Sequence, residues 1–138
     1  MSILQEIHFE SGLLNVDARG EFSLKEAKRA FLEMLGAAAQ YKAKKVLFDA
    51  RKVKGKPEVL ERFYYGEFAA TETTRLFDEH RILLHFAYVM HQPLRDPGRF
   101  GETVALNRGM IVKTFETLEE AFEWLERTPA KKLDAADA

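Results

Sequence analysis

The stretch from Ser23 to Ala50 constrains this chain most, because there an amphipathic helical stripe runs straight into a short apolar segment. Leu24, Ala27, Phe31, Met34, Ala38 and Tyr41 recur alternately three and four residues apart, which gathers them on one side of an α-helix. Ser23 precedes the stripe and Glu26 follows three residues later, the arrangement in which a hydroxyl and a carboxylate satisfy the free amides of a helix start. Val46 to Ala50 then reads as a strand bounded by lysines, apolar except for Asp49. A helix delivered directly into a buried strand is the repeating unit of a parallel α/β sheet.

The remaining segments extend that pattern. Leu4 to Phe9 and Leu13 to Ala18 alternate around a turn at Glu10, Ser11 and Gly12, which predicts an opening antiparallel hairpin with Leu14, Val16 and Ala18 on one face. Pro57 fits a first helical position, and Val59, Leu60, Phe63 and Tyr64 follow at helical spacing, so a second helix is expected from about Pro57 to Phe77. Ile82 to Met90 is apolar and rich in strand formers, which suggests a buried strand, although its first few residues could equally end the second helix. Asp96 and Pro97 are suited to cap and open a third helix that carries Phe100 and Val104 inward and stops at Gly109. Met110 to Phe115 is the next strand; Thr117 and Glu120 repeat the capping spacing ahead of a last stripe, Leu118, Ala121, Phe122 and Leu125, with Trp124 half-buried beside it. The expectation is a single α/β domain over 1–128, a hairpin followed by four β-α units in a mostly parallel five-stranded sheet with flanking helices, and a solvated tail over 129–138.

Composition narrows the function classes. The chain contains no cysteine, which removes disulfides, thiol nucleophiles and thiolate metal sites and fits a reducing cytoplasm. Met1 to Glu10 has neither the basic nor the apolar region of a signal peptide, and no apolar run is long enough to span a bilayer. A net charge of -1 gives no global attraction to nucleic acid. No phosphate loop, nucleophile elbow, metal motif or cofactor-binding motif is present.

The element order resembles the STAS domain fold, and in particular its SpoIIAA-like group of bacterial proteins. The local likeness lies in Val46-Leu47-Phe48-Asp49-Ala50, in Ala87-Tyr88-Val89-Met90, and most of all in the closing run from Val112 to Leu125, a strand ending in Phe115 and then a helix with Glu120-Ala121 and Trp124-Leu125. The resemblance implies a non-catalytic role, as a partner-binding regulator or a small-ligand sensor. In the anti-sigma-factor-antagonist branch a serine or threonine opening the helix after the third strand is phosphorylated. Asp49 to Glu58 contains no hydroxyl residue, so that switch does not carry over. Other members resemble lipid-binding CRAL-TRIO domains, which adds an apolar ligand to the expectations.

Ligands in open parallel sheets settle at the carboxyl ends of strands. That rim would hold Asp17, Arg19 and Glu21, then Asp49 with the cations Arg51, Lys52, Lys54 and Lys56, and then His91, Gln92, Arg95 and Arg99. The cations could hold an anion beside a helix start, although a charged loop is more commonly just solvated. Asp49 and His91 at adjacent strand ends are the most concrete acid-base pair, but a strand-end carboxylate more often pairs with a nearby arginine. His85 and His91 lie roughly 20 Å apart along an extended chain and cannot share a metal. His8 and His80 have no ligand-spaced neighbour, so no metal site is expected. Phe63, Tyr64, Tyr65 and Phe68 are too broad a cluster to point wholly inward; packing accounts for Phe63 and one neighbour, leaving the others to line an apolar pocket or a homodimer face.

The leading expectation is therefore a cytoplasmic module that binds a protein partner through the second helix and its basic approach. A sensor holding an anionic or lipid-like ligand between that helix and the sheet is the alternative, and an acid-base enzyme the third.

Overall fold

The computed structural model describes residues 2–127, so the tail expected over 129–138 lies outside the described residues. Strands β1 (Ile3–Glu10) and β2 (Leu13–Glu21) pair antiparallel across Ser11 and Gly12. Both turn residues have positive φ, 53° and 79°, the two-residue geometry that matches the twist of the flanking strands.

Helix α1 (Leu24–Tyr41) buries Ala27, Phe31, Met34 and Ala38 as its stripe requires. Ser23 Oγ accepts the Glu26 amide at 3.2 Å. The Glu26 carboxylate does not close the box; it accepts the Ile3 amide at 3.0 Å and pairs with Arg29, fastening α1 to β1. Tyr41, at the end of the stripe, is exposed and stacks on Phe9 at 5.0 Å between ring centres.

The chain continues through β3 (Lys45–Lys54), α2 (Val59–His80), β4 (His85–Val89), α3 (Phe100–Leu106), β5 (Ile111–Phe115) and α4 (Leu118–Arg127). The sheet order is β1-β2-β3-β4-β5, parallel from β2 onward. Each new strand joins the same edge, so crossovers of one hand place α1, α2 and α3 on one face. Phe31, Met34, Val46 and Phe86 lie in the core beneath them. Helix α4 follows the last strand and covers part of the opposite face, where Ala121 and Leu125 pack on Leu47, Ala87, Val89 and Phe115. Trp124 is half-buried there, 5.9 Å from the Phe115 ring, as expected.

Several boundaries differ from the sequence expectation. Strand β3 runs four residues past Ala50, because β2 shifts register between Asp17 and Arg19 and then pairs Arg19, Gly20 and Glu21 with Lys52, Val53 and Lys54. Pro57 precedes α2, and Glu58 caps it, exchanging hydrogen bonds with Glu61. The inward face of α2 is Gly66, Ala69, Ala70, Thr73 and Leu76; Val59 and Leu60 face solvent. Asp96 does satisfy the Gly98 and Phe100 amides, but α3 starts only at Phe100, which is exposed while Val104 is buried. Phe122 in α4 is exposed as well, while Ala121 and Leu125 are buried against the sheet with Leu118 and Trp124 partly buried beside them.

Candidate functional site

The small residues on the inward face of α2 leave the sheet incompletely covered. Gly66 and Ala69 on α2, Gly101 and Ala105 on α3, and Phe48, Tyr88 and Val112 on the sheet surround a half-open cavity of about 130 Å³. It sits toward the carboxyl ends of β3, β4 and β5, where Ala50, Met90 and Thr114 also line it. The two helices approach closely at its edge: a Cβ on Gly66 would stand 2.7 Å from the Gly101 carbonyl oxygen.

The lining is apolar apart from a few hydroxyls and charged groups. Tyr65 from α2 and Tyr88 from β4 bring their hydroxyls to 2.7 Å inside it. Burial pushes both phenols well above the usual tyrosine range, so both keep their protons near neutrality. Around the mouth every cation is engaged. Arg62 donates to the Leu94 and Pro93 carbonyls at 2.7 and 2.8 Å, holding the connection between β4 and α3. Arg95 donates to Thr114 Oγ1 at 3.0 Å, and that hydroxyl donates to Glu102 at 2.5 Å. Arg99 pairs with Glu102 at 3.8 Å.

Of the candidate site residues singled out from the sequence, the cavity brings together Tyr65, Arg95 and Arg99. Phe68 packs edge-on against Phe31 instead, beside Tyr65 in the core. Tyr64 is exposed, and Phe63 lies against Tyr64 and beneath Arg108. The expected division of these aromatics is therefore corrected: Tyr65 and Phe68 face inward, and Phe63 does not lead the packing.

The basic group does not form an anion cradle at a helix start. Arg51, Lys52 and Lys54 stand on β3, and only Lys56 belongs to the loop before α2. Arg51 forks onto Asp49 at 2.9 and 2.7 Å, while Lys52 lies 3.9 Å from Asp17. Burial raises the Asp49 carboxyl, but the Arg51 guanidinium and amide more than offset it, holding the group below its ordinary value. His91 lies outside the cavity lining and within hydrogen-bonding distance of the Glu116 carbonyl at 3.2 Å. The two members of the conceivable acid-base pair thus have structural partners. Among the described residues no three histidine, aspartate or glutamate side chains come together in a metal-binding group.

Sequence reasoning missed Tyr88, Arg62, Glu102, Thr114 and Ala69. The one available signal was the run of small residues Gly66, Ala69, Ala70 and Thr73 at helical spacing, a stripe that covers a sheet without filling the space above it.

No family model matches the chain, and no curated protein matches it. Among solved structures, an anti-sigma factor antagonist from Mycobacterium paratuberculosis is similar with a TM-score of 0.57 at 16% identity, over 91% of this chain and 95% of that one. An uncharacterized protein of the DUF3478 family with a SpoIIAA-like fold, from Shewanella loihica PV-4, gives 0.48 at 17% identity over 90% and 94%. The chain has the STAS, SpoIIAA-like fold that its element order resembled.

Proposed function

We propose that this chain is a non-catalytic binding module of regulatory kind, and that its ligand is a small, mostly apolar molecule held between α2 and the sheet. One observation carries the reading: a cavity of about 130 Å³ stands under α2, at the strand ends where this architecture receives ligands. Protein interiors are close-packed, so a hole of this size lined by alanine, glycine and aromatic side chains is an exception in a domain of ordinary core composition. A screen of small apolar compounds by native mass spectrometry and thermal shift tests it. A compound that binds only the folded state raises its stability by mass action. The expected result is stoichiometric binding with a raised Tm, and a chain that stays ligand-free throughout the screen contradicts the proposal.

A second reading, engagement of a protein partner, is favoured by the start of α2. Val59, Leu60 and Tyr64 are 67%, 65% and 46% exposed, and the exposed Lys52 and Lys54 end the preceding strand. Apolar side chains clustered on one surface characterise contact sites. An anti-sigma factor antagonist shares the fold. Pull-down with the full chain, repeated after reversing Lys52 and Lys54 and replacing Leu60 with Asp, tests this reading. Loss of a captured protein supports it, whereas capture unaffected by these changes contradicts it. Self-association would show as a concentration-dependent mass in the same samples.

A further inference from the structure

Two phenols carry two hydroxyl hydrogens, and the 2.7 Å bond between Tyr65 and Tyr88 uses one of them. Whichever ring donates, the other keeps an O–H with no second acceptor among the described residues. That spare donor belongs to a pair lining the cavity, whose wall is otherwise nearly all apolar. A buried donor without an acceptor is unfavourable, so the site is better satisfied by an occupant that brings an acceptor oxygen. Water can reach the pair from the open side, but it leaves the apolar wall uncovered, so an occupant that brings both an acceptor oxygen and an apolar body is favoured over it.

Charge and size narrow the occupant further. Among the described residues lining the mouth, Arg62 donates to the Leu94 and Pro93 carbonyls, Arg95 donates to Thr114 and Arg99 is ion-paired with Glu102, so each of the three cations already has a partner other than an incoming carboxylate. The burial that keeps both tyrosines protonated disfavours an anion at the same place. An apolar cavity of about 150 Å³ holds one benzene. The volume here, about 130 Å³ and open on one side, accommodates a single ring or short chain whose substituent reaches the mouth.

We infer that the cavity takes a neutral single-ring or short-chain molecule whose one acceptor oxygen receives the spare hydroxyl hydrogen of the Tyr65–Tyr88 pair, an assignment that rests on the cavity being a ligand site. The pair then acts as a chemical filter: it admits a ketone, ester or similar carbonyl compound in preference to a hydrocarbon of the same shape and to an acid.

Acetophenone and its hydrocarbon counterpart α-methylstyrene differ in replacing C=O by C=CH₂ and serve as probes. Their dissociation constants are measured by NMR titration of the full chain and of the Tyr65→Phe/Tyr88→Phe double variant. Removing both hydroxyls together leaves no orphaned partner, so the variant is expected to fold, and its melting curve checks this. The expected result is that acetophenone weakens by about fivefold or more in the double variant, the worth of one hydrogen bond, while α-methylstyrene binds it as well as or better than the wild type. Equal weakening of both probes, or of neither, overturns the role of the tyrosine pair while leaving the cavity as an apolar ligand site. Failure of both probes to bind the folded wild type overturns the ligand site and this inference with it.

Discussion

Tyr65 on α2 and Tyr88 on β4 share a 2.7 Å hydrogen bond across the wall of the cavity, so the helix that leaves the sheet partly uncovered is also tied to it at the cavity. Their coupling is a property of stability as well as of binding. Replacing either tyrosine alone by phenylalanine leaves the other hydroxyl buried without its partner, at a cost of about 1–3 kcal/mol. The double replacement removes both polar groups and should cost less than the sum of the singles. Urea unfolding of the four proteins measures the difference, and strict additivity contradicts the coupling.

Gly66→Ala tests the close approach of α2 and α3. Alanine favours a helix over glycine by about 1 kcal/mol, yet the added Cβ would stand 2.7 Å from the Gly101 carbonyl oxygen. Separation of the helices should prevail, giving a net destabilisation of about 1–3 kcal/mol. A variant more stable than the wild type would show that the helices yield without cost.

His85 predicts an acid sensitivity. It is 4% exposed, neither ring nitrogen has a hydrogen-bond partner among the described residues, and burial followed by the neighbouring Lys45 charge lowers its pKa below 6.5. The unfolded chain therefore takes up this proton before the folded one does. Stability attributable to His85 is complete above about pH 6.5 and declines as pH falls toward the lowered folded value, by at most about 1.4 kcal/mol per pH unit. His85→Leu should flatten the pH dependence of urea stability between pH 7.5 and 5.5, and an unchanged slope contradicts the assignment.

Asp49 acts in a lower window. Its carboxyl is held below the ordinary aspartate value by Arg51, so its contribution is present above about pH 4 and is lost as pH falls through the folded value. Asp49→Asn should cost about 1 kcal/mol at neutral pH and abolish that acid-side loss. Full stability in the variant would remove Asp49 from the structural role given to it here.

The elements with large apolar stripes were legible in the sequence, as α1 shows with Phe31 and Met34 buried where their spacing places them. Strand β3 was legible only to Ala50, because Arg51, Lys52 and Lys54 look like a loop until pairing with β2 past a register shift makes them strand. Helix α2 misled for the opposite reason. Three apolar or aromatic side chains at its start, Val59, Leu60 and Tyr64, are exposed, while its inward face is Gly66, Ala69 and Ala70. The cavity is volume that those residues leave unfilled, a property of two elements meeting that no single segment encodes. Tyr65 was visible as part of an aromatic cluster, but Tyr88, its partner from another element, was hidden inside an apolar strand.

The most direct test of the cavity as a binding site is the thermal shift produced by saturating acetophenone in the wild type and in Ala69→Leu, whose added side chain fills the space under α2. The Tm of the wild type should rise by several degrees and that of Ala69→Leu should not move, because the ligand stabilises the fold only where it has a place to bind. An equal rise in both proteins, or no rise in the wild type, would contradict the account.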